Sequence, residues 1–218
     1  MDITGRKKME MKVPWWMKKK EGAQTPLPKL SPYMAVPAVS RALVSLLQDH
    51  MVPSILPGLE EVGICSPSER GDLSLMIWMY DVQESDRVSD YQMRMGEKEL
   101  QFPPTYLDLY YMIAAYSKVD IQYRAEEEQK ILMKVMEIFR DYCILDESTL
   151  RPAEKADPMA IHIEPLRVNI DDKLKMWGQA GESYRLSLFY RVSPVRLENE
   201  TRRKITRVTE IDINPEFK

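Results

Sequence analysis

The sequence is poor in the residues on which most catalytic and cofactor sites depend. Its 218 residues include only eight glycines, two cysteines and two histidines. The glycines form neither a G-x-G-x-x-G pattern nor a phosphate-binding loop, so no nucleotide cradle is indicated. The G-x-S-x-G, H-E-x-x-H and C-x-x-C motifs of hydrolases, metalloproteases and thiol redox proteins are also missing. These absences predict a protein that is not an enzyme and needs no cofactor.

The histidines and cysteines match no metal-ligand pattern. His50, His162, Cys65 and Cys143 are widely separated in the sequence, and their spacing resembles no zinc motif. His50 closes a predicted helix, where a cation suits the helix dipole. Nothing points to export, so we expect free, buried thiols rather than a disulfide.

Long apolar runs are missing too, and the charge is unevenly distributed. No stretch of eighteen apolar residues occurs, so no membrane span is predicted. Residues 1–36 hold eight Lys/Arg and three Asp/Glu, a net charge of +5, which leaves 23 and 31, a net charge of −8, for the remainder. An acidic body argues against nucleic acid as the main ligand, because phosphate binding needs a basic face.

Residues 1–36 are interpreted as a basic N-terminal arm that precedes one domain over residues 37–218. Four prolines interrupt any helix in the arm, namely Pro14, Pro26, Pro28 and Pro32. Trp15 and Trp16 suggest a strap that docks on a neighbouring subunit. A disordered tail, or a true start at Met34, remains open as an alternative.

Hydrophobic periodicity predicts a succession of helices and strands. The predicted helices run from Pro37 to the residue before Pro53, from about Arg124 to Tyr142, and from an Asn169 cap to Trp177. The predicted strands are Val62–Cys65, Asp72–Val82, Tyr91–Met95, Glu99–Phe102, Thr105–Tyr116, Ile161–Pro165, Ser183–Val192 and Ile205–Ile213. This order predicts a single α+β domain with an antiparallel or mixed sheet flanked by helices.

Asp108 is the most unusual carboxylate, since it interrupts a strand that is apolar on both faces. A buried unpaired ion is costly, so Asp108 must find a partner. The structural interpretation is a hydrogen bond to a tyrosine hydroxyl or a salt bridge to Arg185 or Arg191. The functional interpretation is a general base. Without a second catalytic group nearby, we favour a structural polar pair and choose Asp108 with Arg185.

Several aromatic and basic residues are candidates for contact with other subunits. Trp177 precedes a glycine and belongs either to the core or to an interface, where tryptophan is enriched. The basic cluster that begins at Arg202 either contacts an acidic neighbouring subunit or is simply exposed to solvent on an edge hairpin. The candidate interface residues are Trp15, Trp16, Trp177, Arg191, Arg202 and Arg203.

The order and spacing of these elements resemble one family. The matching stretches include AVSRAL at 38–43, LSL at 73–75, PPTYLDLYY at 103–111, KMW at 175–177 and YRLSL at 184–188. With them, the chain from about Met34 to Asn199 resembles the tube-terminating cap proteins of phage-tail-like contractile injection systems, the Pvc16-like N-terminal domain family. Members usually begin close to the first helix, so the basic arm is a departure.

The resemblance implies a tail-terminator-like fold and a structural role. It implies a sixfold ring, a homohexamer, that ends the inner tube, stops polymerisation and holds the last sheath layer. Its partners would be sister copies, the tube protein and the sheath protein. Assembly would occur in the cytoplasm, in a particle that is then released or kept in the cell. A terminator or neck connector of a true phage tail, an enzyme built around Asp108, and a ligand-binding module remain the alternatives.

Overall fold

The protein, in a computed structural model, is described over residues 32–86, 94–95, 99–147, 149–153, 160–199 and 202–204. Three α-helices lie in this part: α1 Ala35–Met51, α2 Ile121–Asp141 and α3 Ile170–Gln179. The strands are β1 Val62–Ile64, β2 Leu75–Glu84, β3 Arg94–Met95, β4 Glu99–Gln101, β5 Thr105–Ala115, β6 Ile144–Leu145, β7 Ile161–Pro165, β8 Ser187–Leu197 and β9 Arg202–Lys204. None of the helices in these ranges is long and apolar enough to cross a membrane.

The main sheet has six strands in the order β1-β2-β5-β8-β7-β6. β1 runs parallel to β2, and the remaining neighbours are antiparallel. A smaller sheet, in the order β3-β4-β9, is fully antiparallel. The predicted single α+β domain with a mixed sheet is therefore confirmed.

Helices cover both faces of the six-stranded sheet. α1 and α2 cover what we call the first face, where residues such as Leu47, Phe139 and Ile113 form the larger core cluster. α3 covers the second face, where Met76, Met112, Trp177 and Phe189 belong to a smaller cluster. Burying one large apolar side chain contributes about 1.5–3 kcal/mol, so the first face carries most of the stability.

The structure extends or shifts several predicted elements. α2 begins at Ile121, three residues before the predicted start, and β6 was not predicted. The strand predicted at Ser183–Val192 begins only at Ser187 and continues to Leu197. The alternation of the predicted strand assigns Tyr184 and Leu186 to its inward side, but they are 40% and 47% exposed, because the chain joins the sheet only after them. The strand predicted at Ile205–Ile213 lies outside the described residues.

α3 forms where its sequence signals predicted a helix. The Asn169 side chain accepts a hydrogen bond from the Asp172 amide at 2.9 Å, which satisfies one of the free N–H groups of the first turn. After the helix, Gly181 adopts a positive φ of 74°, a conformation that favours glycine. Both ends of the helix are thus set by local residues.

Candidate assembly surfaces and the Asp108 cluster

Asp108 lies where the ladder between β5 and β8 is irregular. The register shifts between Leu107 and Leu109, so Asp108 occupies a bulge. Its side chain is 8% exposed, and its Oδ2 lies 3.7 Å from Arg191 Nη1. Arg191 Nη2 also donates to Glu164 Oε2 at 2.6 Å. One guanidinium on β8 therefore bridges carboxylates on both neighbouring strands.

The predicted pair of Asp108 with Arg185 is not present. Arg185 Nη1 instead donates to Glu128 Oε1 of α2 at 3.0 Å, and its guanidinium carbon lies 4.7 Å from the ring centroid of Tyr116. The physical reason is that β8 begins only at Ser187, so Arg185 does not occupy a strand position beside β5. The alternative partner, Arg191, is the one that approaches Asp108.

Arg191 is the charged side chain that pairs with Asp108 among the described residues. Its Oδ1 is buried without a hydrogen-bond partner among the described residues. Tyr80 and Tyr116 belong to the cluster on the same sheet face. Burial raises the pKa of both hydroxyls, that of Tyr80 to about 12 with a further rise from the nearby Asp81 charge. A neutral phenol at physiological pH is neither a nucleophile nor a base.

The histidines and cysteines do not meet. His50 stacks on Tyr142 with ring centroids 4.4 Å apart, and His162 lies on β7 opposite Ile144 and Ser193. Cys65 is half-buried and Cys143 exposed, and both are free. Within the described ranges, no three His, Cys, Asp or Glu side chains cluster as metal ligands would. The expectation that both thiols are buried is wrong for Cys143.

The candidate interface residues lie in different parts of the molecule. Trp177 is fully buried, and its Nε1 donates to Ser187 Oγ at 3.3 Å, so the core alternative is correct for this residue. Arg191 belongs to the Asp108 cluster. Arg202 and Arg203 lie in β9, paired with β4, and their side chains are outside the described part. Trp15 and Trp16 also lie outside the described residues.

Two exposed apolar surfaces were not predicted from the sequence. On α2, Met133 and Met136 are 50% and 44% exposed, and Met133 lines a shallow groove with Ile55 of the loop after α1 and with polar and charged side chains of α2. On α3, Ile170 and Leu174 are 54% and 48% exposed. The sequence signal that could have predicted them is a set of apolar residues at helical spacing outside the stripe that faces the core. The two surfaces lie on opposite faces of the sheet.

A second polar cluster ties the start of β2 to the end of β5. Lys118 Nζ donates to both carboxylate oxygens of Glu61 at 2.8 Å, and the Ser74 hydroxyl donates to the same carboxylate. The Lys118 hydrogen bond, with that of Ser74, lowers the pKa of Glu61. The Glu61 cluster joins segments that are far apart in the chain, as the Asp108 cluster does.

The fold is similar to that of two proteins of contractile injection systems. It is similar to the PVC sheath/tube terminator of an extracellular contractile injection system in the extended state, with a TM-score of 0.57 and 16% identity, over 84% of this chain and 64% of that one. It is also similar to the tube-terminating cap of the anti-feeding prophage, with a TM-score of 0.51 and 15% identity, over 81% of this chain and 60% of that one. At such identities the likeness shows a shared terminator-like fold.

The family follows from the sequence itself. Residues 38–210 match the family model of the Pvc16 N-terminal domain, so the chain belongs to that family. No curated protein sequence matches the chain. The chain spans less than two thirds of the length of the two solved terminators. The predicted resemblance to tube-terminating caps is confirmed at the level of family and fold.

Proposed function

We propose that this protein caps the end of the inner tube and sheath of a contractile injection system. The observation that carries the proposal is the match of residues 38–210 to the Pvc16 N-terminal domain family, together with the terminator-like fold. A cap works by presenting one face that fits the tube and another that fits nothing. That task needs shape and surface chemistry and no catalytic step, in keeping with the salt-bridged state of Asp108.

The proposed cap is a ring of identical subunits, a hexamer as the family resemblance implies, built in the cytoplasm on the growing particle. A cyclic ring uses heterologous contacts, in which one surface meets a different surface of the next copy. The apolar surfaces around Met133 on α2 and Leu174 on α3 supply two different patches on opposite faces of the sheet. Stable contacts of this kind bury roughly 1,200–2,000 Å².

Deleting the gene tests the capping role. Particles made without the protein should show tubes and sheaths of uncontrolled length in electron micrographs, because nothing stops addition of further layers. Supplying the wild-type chain from a plasmid should restore a uniform length. Tubes of normal, uniform length in the deletion strain would refute the proposal.

Matched surface variants test the ring. Met133→Asp and Leu174→Asp each place a charge in an exposed apolar surface, and the rings seen by negative-stain microscopy should disappear. Val119→Asp is the control, since Val119 is 41% exposed and lies before α2, away from both surfaces. All three proteins should keep the wild-type melting temperature. Equal loss of rings in all three, or in none, would contradict the assignment of these surfaces.

A further inference from the structure

One side of β2 is only partly covered by another strand. β1 pairs with β2 at Leu75, Met76 and Ile77 and extends no further. Beyond that point, Trp78–Glu84 pairs with β5 on one side, and no strand in the described part of the chain pairs on the other. We call Trp78–Glu84 the free edge. Such an edge offers unpaired backbone groups to an additional strand.

The direction of the backbone groups can be read from the ladder. The Ser85 amide donates to the Tyr106 carbonyl of β5 at 2.8 Å. Because backbone groups alternate along an antiparallel ladder, Val82 and Glu84 turn theirs away from β5. The Val82 amide accordingly donates to the Asp81 carboxylate at 2.8 Å rather than to a strand. An added strand would have to replace this carboxylate with a peptide carbonyl.

The free edge and the residues after it are acidic. Asp81, Glu84 and Asp86 are all exposed. Among the described residues, no Lys or Arg forms an ion pair with any of these three carboxylates. A strand that adds here should therefore carry basic side chains, because uncompensated like charge weakens cross-strand pairing and opposite charge strengthens it.

The chain contains a segment with these properties. Residues 8–13 alternate strictly as Lys-Met-Glu-Met-Lys-Val, and Pro14 follows. Alternation of this kind is typical of a strand, which proline then ends. Residues 6–13 hold four Lys/Arg and one Glu, a net charge opposite in sign to that of the free edge.

We propose that residues 8–13 of a second copy add a strand to the free edge of β2. The inference rests on the proposed self-assembly of the cap and specifies one of its contacts. Extended chain spans about 3.3–3.6 Å per residue, so residues 14–31 are long enough to cross from one subunit to the next. Trp15 and Trp16 would then follow the added strand toward Trp78 and Tyr80, which lie beside each other at 6.2 Å between ring centroids.

A charge-swap series measures the electrostatic part of the contact. Glu84→Lys with Asp86→Lys, and separately Lys8→Glu with Lys12→Glu, should each weaken self-association of the full chain about tenfold in sedimentation velocity. Combining both pairs should restore the wild-type value. If the two pairs of substitutions act at unrelated sites, their effects on self-association add. A fourfold variant that associates more weakly than either double variant would therefore overturn the proposal.

A proline variant tests strand addition itself. Glu84→Pro removes an outward amide that β5 does not use, whereas Glu84→Ala removes only the carboxylate. The proline variant should lose association, the alanine variant should lose only part of it, and the melting temperatures of the two should agree. A proline variant that associates like wild type would overturn the proposal.

A disulfide experiment tests whether the added strand comes from a second copy of the chain. In a Cys65→Ser, Cys143→Ser background, a mixture of the Met11→Cys chain and the Val82→Cys chain should give a covalent heterodimer on oxidation. No heterodimer, or a link formed only within a chain that carries both changes, would overturn the proposal even if rings form and tubes are capped. Unlimited tube growth in the presence of the wild-type protein would instead refute the capping function.

Discussion

The two faces of the sheet are stabilised in different ways. The first face packs under two helices against a continuous apolar cluster that draws on α1, α2 and all six strands of the main sheet. The second face has one short helix over a smaller cluster, and beside it lie Asp108, Arg191 and Glu164 in an ion-pair network. The first face therefore provides more of the apolar packing that stabilises the fold than the second face does.

Truncation of the first core should have the largest effect. Phe139 of α2 is 2% exposed and lies edge-on to Tyr190 at 4.9 Å between ring centroids. Phe139→Ala should lower the free energy of unfolding by about 3–5 kcal/mol, through lost burial and the cavity left behind. Urea denaturation followed by circular dichroism measures the change. A loss below 1 kcal/mol would contradict the leading role of the first face.

Substitutions in the smaller cluster on the second face should lower the free energy of unfolding less. Trp177→Phe keeps an aromatic ring but removes the hydrogen bond to Ser187 Oγ, so we expect a loss of about 1–2 kcal/mol. Ser187→Ala is the control of small volume, because it removes the same hydrogen bond together with the one that the Ser187 hydroxyl donates to the Arg185 carbonyl. If Trp177→Phe costs more than Phe139→Ala in the same denaturation assay, the ranking of the two faces is wrong.

The Glu61 cluster should make stability depend on pH. The lowered pKa of Glu61 means that its contribution is present above the ordinary pKa of 4.5 and is lost as pH falls through the folded-state pKa. At neutral pH, Glu61→Gln should cost about 0.5–1 kcal/mol. The difference between wild type and variant should shrink between pH 5 and about pH 3. A difference that grows on acidification would contradict the assigned pair with Lys118.

The free edge should tolerate change in the isolated subunit. Val82 is 42% exposed, so Val82→Thr should alter the free energy of unfolding by less than about 0.5 kcal/mol. The same measurement on Leu109→Thr, at the paired and fully buried position of β5, serves as the contrast and should show a far larger loss. Comparable losses of unfolding free energy at both positions would show that another part of the same subunit packs against the free edge of β2.

Much of the fold could be predicted because local patterns were strong. The Asn169 cap and the apolar stripe of α2 predicted two helices, and β7 occupies the predicted range Ile161–Pro165. The candidate sites were harder to predict. The partner of Asp108 depends on a bulge in β5 and on where β8 begins, and alternation alone assigned Tyr184 and Leu186 to the wrong side.

What the sequence by itself determined is most of the helices and strands and the lack of familiar catalytic motifs, because periodicity, caps and turn residues act over a few positions. Only the tertiary structure decided that β1 runs parallel to β2 and stops at Ile77, that Trp177 is buried, and that Arg191 rather than Arg185 lies beside Asp108. Strand order and register bring together residues far apart in the chain, and the free energy of those contacts depends on packing that no local pattern encodes.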